Sequence, residues 1–223
     1  MIARSIFVTG TDTGVGKTRV ACALLRRLAG AGQRCAGFKP VAAGVVPTDA
    51  GPRHEDALAL NAAASVKLPY DLLNPYCLPA ALAPHIAAAE LGRELTRAPI
   101  LAAHRAIVAQ ADWIVIEGAG GWRVPLNKDE TMAELVAEAG WPVILVVGMR
   151  LGCLNHALLS AESIGRTNRL LGWIANELPP PQPALEQNIA TLETRLPAPR
   201  LARMRAQALD LEWTPRGNAA LGF

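Results

Sequence analysis

Short apolar runs alternate along the chain with longer Ala- and Leu-rich stretches. The runs Ser5–Thr9, Cys35–Lys39, Trp113–Glu117, Val143–Val147 and Leu171–Ala175 are strand-length, and several are apolar at consecutive positions rather than at every second one. That pattern belongs to parallel strands covered on both faces. Between them, Lys17–Ala29, Asp56–Ala63, Leu95–Gln110, Thr131–Ala139 and Leu154–Arg166 carry helical spacing. The alternation predicts an α/β fold, a doubly wound, mainly parallel sheet flanked by helices. The segment Leu68–Pro84 is Pro-rich and reads as a long irregular connection, of the kind that often lines a site. Pro179, Pro180, Pro181 and Pro183 predict a stiff surface turn.

Composition narrows the classes. The chain has 223 residues, 51% hydrophobic and 18% charged. This suits one domain, 1–223, able to bury a full core, although the order of about the last 25 residues stays open because boundaries are the weakest sequence readings. A net charge of +3 is too small to argue for nucleic acid or an anionic membrane. The basic cluster Arg195, Arg200, Arg203 and Arg205 reads as a solvated face. The four cysteines, Cys22, Cys35, Cys77 and Cys153, have no zinc-like spacing and read as reduced thiols of a cytoplasmic protein. The opening MIARSIFVTG has no signal-peptide pattern, and the apolar stretch Pro142–Met149 is too short to span a bilayer.

Chemistry concentrates after the first strand, in Gly10-Thr11-Asp12-Thr13-Gly14-Val15-Gly16-Lys17-Thr18. The ending fits the phosphate-loop pattern G-x-x-x-x-G-K-[ST], although Gly10 stands one residue further from Lys17 than that pattern asks. Glycines let backbone N–H groups turn toward phosphate oxygens, and the following helix N-terminus adds positive potential. Lys17 is suited to the β- and γ-phosphates and the Thr18 hydroxyl to Mg²⁺. Glu117 closes a hydrophobic strand and Asp56 opens a helix. Each is a candidate Mg²⁺ carboxylate, and each has a plainer reading, as a strand-end acid or as an acid favoured at a helix N-terminus. Asp12 is a weaker candidate. Lys39, at another strand end, could hold a second anion beside the γ-phosphate or simply extend to solvent. Glu117-Gly118-Ala119-Gly120-Gly121 forms a bare-backbone turn that a ligand can approach closely.

Taken together, GTDTGVGKT (Gly10–Thr18), KPVAAG (Lys39–Gly44), EDALAL (Glu55–Leu60), NPY (Asn74–Tyr76), PH (Pro84–His85), VIEGAGGW (Val115–Trp122), PVILVVGMRLGCLNHA (Pro142–Ala157) and GWIAN (Gly172–Asn176) resemble the dethiobiotin synthetases. The resemblance implies an ATP- and Mg²⁺-dependent cyclo-ligase of biotin biosynthesis that converts 7,8-diaminononanoate and CO₂ into a cyclic urea. It further implies that Thr13, Gly14, Val15, Gly16 and Lys17 wrap the ATP phosphates and that Thr18, Asp56 and Glu117 surround Mg²⁺. Lys39 is then the carbamate contact. Gly118, Ala119, Gly120 and Gly121 border nucleotide and substrate, with Thr13 and Ala43 beside them. Leu151, Gly152 and Asn155 meet the substrate's carboxylate end across a homodimer interface, and Asn176 reads the adenine edge. Ala43 stands where the family commonly has Ser or Thr. Beyond Leu196 the chain diverges: Leu201–Ala206 replaces an expected adenine-side segment, which predicts loose base selectivity.

Two rivals share the loop. A cobyrinic acid amidase-type enzyme needs an extra amidotransferase domain, for which 223 residues leave no room. A ParA/MinD-like switch usually carries an additional lysine where this chain has Gly10-Thr11, and a MinD-type member ends in a basic amphipathic helix that Trp213–Phe223 does not match.

Overall fold

From the N-terminus the chain forms β1 (Arg4–Gly10), α1 (Lys17–Gly30), β2 (Cys35–Phe38), β3 (Val41–Ala43), α2 (Glu55–Ala63), α3 (Tyr70–Leu73), β4 (Tyr76–Leu78) and α4 (Pro84–Ala89). It continues through α5 (Arg97–Val108), β5 (Trp113–Glu117), α6 (Met132–Ala139), β6 (Val143–Met149), α7 (Cys153–Gly165) and β7 (Leu170–Glu177). The last elements are α8 (Leu185–Arg195), β8 (Arg200–Met204), β9 (Glu212–Trp213) and α9 (Pro215–Leu221). This computed structural model describes residues 3–222. Met1, Ile2 and Phe223, the ends of the N-terminal run and of the tail considered above, lie outside the described residues.

The main sheet has seven strands in the order β2-β5-β1-β6-β7-β8-β9. All neighbours are parallel except β8 and β9, which pair antiparallel. The consecutive apolar residues of the central strands are explained by two cores. Phe7, Ile114, Ile116, Val143 and Leu145 face one side, with residues of α5, α6 and α7. Ile6, Val8, Val115, Ile144 and Val146 face the other, with residues of α1. Because strand side chains alternate, each strand must be apolar at every position to serve both sides.

The segment Leu68–Pro84 differs from its predicted irregular path. It contains α3 and β4, and β4 pairs in parallel with β3 as a separate two-stranded sheet. Asn74 is the buried pin: its Nδ2 donates to Lys39 O at 2.6 Å and to Tyr76 O at 3.2 Å. The C-terminal stretch is likewise built into the fold. Thr214 caps α9 by accepting from Gly217 N at 3.0 Å. Nor is the basic cluster uniformly solvated. Arg203 is 8% exposed and pairs with Glu177 and Glu186, while Arg200 and Arg205 pair with Glu193 and Glu212. Desolvating a guanidinium requires such partners.

Topology gathers the chemistry. The chain leaves β1 for β2, then returns to insert β5 between them before crossing to β6. The C-terminal ends of β2, β5 and β1 therefore lie side by side, and Lys39, Glu117 and the loop after Gly10 meet at that rim. In open α/β sheets this switch point is where ligands bind.

Candidate functional site

A cleft of about 950 Å³ opens at this rim. The phosphate loop forms one wall. Gly16 has φ +88°, and a Cβ there would come within 2.1 Å of Asn176 Nδ2, so glycine is required twice over. A Cβ on Gly10 would meet Val15 Cγ2 at 2.5 Å, so this glycine closes the turn even though it departs from the usual spacing. No side chain among the described residues caps α1, which leaves its first N–H groups available to an anion.

Lys17 is buried at the loop's centre, with Nζ donating to Asp12 O at 3.0 Å. Burial, and then the positive charge of Lys39, pull its ammonium down to about 8. Asp12 itself faces Arg150, and its Oδ1 accepts from Thr13 N at 2.7 Å. It braces the loop and does not join the other acids.

Opposite Lys17 lies a compact polar knot. Lys39 Nζ donates to Glu117 Oε1 at 2.6 Å and to Asp56 Oδ2 at 2.7 Å. Thr18 Oγ1 lies 2.8 Å from Asp56 Oδ1 and 2.9 Å from Glu117 Oε1. The Lys39 side chain is only 4% exposed and that of Glu117 1%. Burial alone would lower the Lys39 ammonium, but Glu117 and Asp56 outweigh it and hold it raised. Burial alone would raise Asp56, but Lys39 and the Thr18 hydroxyl outweigh it and hold the carboxyl below its usual range. The plainer readings of Lys39 as a snorkelling lysine and Glu117 as a bare strand-end acid do not describe this arrangement. Asp56 does sit in the first turn of its helix, where His54 Nδ1 accepts from Asp56 N at 3.1 Å.

The donor set suits a divalent cation. Among the described residues no group of three or more His, Cys, Asp or Glu side chains could hold a metal by itself. Two carboxylates and a hydroxyl nevertheless converge within hydrogen-bonding distance, and Glu117 Oε2 is buried with no hydrogen-bond partner among the described residues. Mg²⁺ takes one or two carboxylates and completes its shell with phosphate oxygens and water.

Of the residues singled out from sequence, Thr13, Gly14, Gly16, Lys17, Thr18, Lys39, Ala43, Asp56, Glu117, Ala119 and Gly120 border the cleft. Val15 lies behind it, its side chain buried. Gly118 backs onto Phe7, where a Cβ would meet the ring at 2.7 Å, and a Cβ on Gly121 would face Gly10 O at 3.6 Å. Asn176 is fully buried behind Gly16, donating to Val15 O at 2.7 Å. Leu151, Gly152 and Asn155 stand apart from the cleft on the exposed start of α7, Leu151 being 96% exposed. Ala81, Leu82 and Ala83 of the cleft wall belong to the Leu68–Pro84 segment expected to line a site, whereas sequence reasoning missed Arg19, His54, Val124 and Pro125. Arg19 adjoins the loop motif and could have been found; Val124 and Pro125 carry no local signature.

Comparison with known proteins agrees with this geometry. A sequence family described as "AAA domain" matches residues 4–209. The chain is 52% identical to the ATP-dependent dethiobiotin synthetase BioD of Xylella fastidiosa (strain 9a5c), over 89% of this chain and 88% of that one. It is 50% identical to the same-named protein of Pseudomonas aeruginosa (strain LESB58), over 90% and 89%. With that of Xanthomonas axonopodis pv. citri it shares 46%, over 97% and 94%. Among solved structures, chloroplast FtsY from Physcomitrella patens superposes with a TM-score of 0.56 at 17% identity, covering 99% of this chain and 66% of that one. Cell division protein FtsY from Thermotoga maritima gives 0.57 at 15%, covering 98% and 67%. This chain spans about two thirds of those FtsY chains, and at such identity they speak to the phosphate-loop fold alone. The curated relatives match along nearly their whole length, and the chain belongs to the ATP-dependent dethiobiotin synthetase family.

Proposed function

We propose that residues 1–223 form one ligase domain that carboxylates 7,8-diaminononanoate with CO₂ and closes it to the cyclic urea of dethiobiotin, with ATP as co-substrate and Mg²⁺ as metal. The observation that carries this reading is Lys39: a second buried ammonium, 2.6 Å from the strand-end acid Glu117 and across the same cleft from the phosphate-loop lysine Lys17.

The reaction needs two anions brought together. One amine adds to CO₂ and loses a proton, giving a carbamate. A carbamate oxygen is a poor leaving group, so it accepts the γ-phosphoryl group of ATP, releasing ADP and forming a carbamic–phosphoric anhydride. The second amine then attacks the carbonyl carbon, and phosphate leaves with closure of the five-membered ring. The amines lie on adjacent carbons, so closure is intramolecular and loses little entropy.

In this reading Lys17 and the N–H groups from Thr13 to Lys17 hold the triphosphate tail. Lys39 holds the carbamate, and the two ammonium groups offset the repulsion between carbamate and γ-phosphate. Thr18, Asp56 and Glu117 would hold Mg²⁺, which adds positive charge at the transferring phosphoryl group. The turn at Ala119 and Gly120 lets substrate approach, and the wall of Ala42, Ala43, Ala81 and Leu82 receives its methylene chain and excludes water. In the same reading Asn176, whose amide can both donate and accept, is the residue that reads the adenine edge.

The exposed Leu151, with Gly152 and Asn155, supports a homodimer in which these residues meet the substrate carboxylate of the partner's site. The unpaired cysteines among the described residues support a reducing, cytoplasmic setting, and no helix among those residues is long and apolar enough to cross a membrane. The test is ADP release with ATP and Mg²⁺ while diaminononanoate or bicarbonate is omitted. Release should require both, and mass spectrometry should find dethiobiotin. ADP formation indifferent to either compound refutes the proposal.

A further inference from the structure

Arg19, one residue past the Thr18 hydroxyl, makes contacts that phosphate binding does not call for. Its Nη1 donates to Asn176 Oδ1 at 3.3 Å. Its Nη2 donates to two backbone carbonyls of the turn after β8, Arg205 O at 3.1 Å and Ala208 O at 2.9 Å. One planar guanidinium thus joins α1, the end of β7 and the 205–208 turn.

Two consequences follow from the chemistry. An amide side chain has two orientations differing only in exchange of O and NH₂. Here Nδ2 faces Val15 O at 2.7 Å and Oδ1 faces the guanidinium. Turning the amide over would oppose NH₂ to guanidinium and oxygen to a carbonyl, losing both bonds. Arg19 and Val15 O therefore hold the Asn176 amide in one orientation from its two ends. The turn, in turn, includes Gln207 at φ +64°, the one non-glycine residue with positive φ among the described residues. Such a conformation persists where surrounding contacts over-determine it, and Arg19 supplies two of them, alongside the bond from Ala208 N to Arg205 O at 3.1 Å.

We infer that Arg19 is a positioning residue for the nucleotide base: it fixes the orientation of the Asn176 amide and seats the 205–208 turn beside it. The inference rests on the reading of Asn176 as the base contact. Base selectivity then depends on a side chain that itself reads no base edge, acting in part through a turn where the chain diverges from the family pattern.

The test is calorimetric binding of ADP, GDP and CDP, with Mg²⁺, to the full-length protein and to Arg19→Ala, together with steady-state kinetics in ATP. The variant should bind ADP about tenfold more weakly and GDP and CDP less than threefold more weakly, so that the preference for ADP shrinks. The KM for ATP should rise with kcat within about twofold. Loss of a general positive charge would weaken all three diphosphates equally, and that result, or an unchanged preference, overturns the inference. If Arg19→Ala does not fold, Arg19→Lys decides: a point-charge ammonium cannot span the three acceptors as the planar fork does, and it must also reduce the preference. A wild-type protein with no preference for ADP sinks the reading of Asn176 and this inference together, whereas an unchanged preference in the variants sinks the inference alone.

Discussion

Replacing Lys39 by Met removes the ammonium while keeping most of the side-chain volume. The wild-type ammonium is 4% exposed and sits 2.6 Å and 2.7 Å from two carboxylates whose side chains are 1% and 25% exposed. Breaking a buried ion pair from one side costs about 3–5 kcal/mol, because the remaining charge stays buried without compensation. Against a typical stability of about 5–15 kcal/mol, that is a large share. With a urea slope of roughly 2 kcal/mol per molar, the midpoint should fall by about 1.5–2.5 M. The assay is urea unfolding in EDTA, followed by circular dichroism. Adding Mg²⁺ should then restore more stability to Lys39→Met than to the wild type, since the freed carboxylates bind a cation in the folded state only. Adding Glu117→Gln to the variant should cost less than the two single changes summed, since both act on one contact. A loss below about 1 kcal/mol in metal-free buffer, far under the cost of orphaning a buried charge, would refute the argument that Lys39 neutralises this pair. Independently, the variant should lose most turnover while still binding ATP.

Gly16→Ala should abolish measurable ADP binding by calorimetry, because residue 16 has φ +88° and its Cβ would overlap Asn176 Nδ2; normal affinity would contradict this. With Lys17 pulled down to about 8, nucleotide-free protein loses that charge as pH rises through 8. ADP affinity should therefore fall between pH 7 and 9, by no more than about tenfold per unit. The stability of the free protein should rise across the same limb toward 10.5, since the unfolded chain there holds a proton the native state lacks. A flat affinity profile would argue against Lys17 as the phosphate contact. His104 is half-buried beside Phe38 and Trp141 and bonded to Ser5 Oγ at 2.8 Å. Burial, then Arg105, lowers it from 6.5 to about 4. Its contribution is complete above 6.5 and is lost as pH falls toward 4. In pH-dependent melts, His104→Asn should flatten that decline, and an unchanged slope would exclude His104 as its source.

Much of the molecule was readable from residues alone, for local reasons. Strands apolar at every position announced a sheet covered on both faces, and Gly16-Lys17-Thr18 between a strand and a helix announced phosphate binding, because both signals lie within a dozen neighbouring residues. The pairing of β3 with β4 was not readable. Each is three residues long, too short for any periodicity, and their pairing depends on Asn74 reaching back to Lys39 O. Arg203 looked like surface charge because its partners Glu177 and Glu186 lie 26 and 17 positions earlier in the chain. Residue types nominated Lys39, Asp56 and Glu117, but each kept a plainer alternative. Only the insertion of β5 beside β2 set Glu117 2.6 Å from Lys39, which also lies 2.7 Å from Asp56. The sequence determined which chemistry was available and which segments could be strand or helix. The strand order decided which charges became neighbours, because electrostatic interaction depends on separation in space and on burial, and neither is a property of position along the chain.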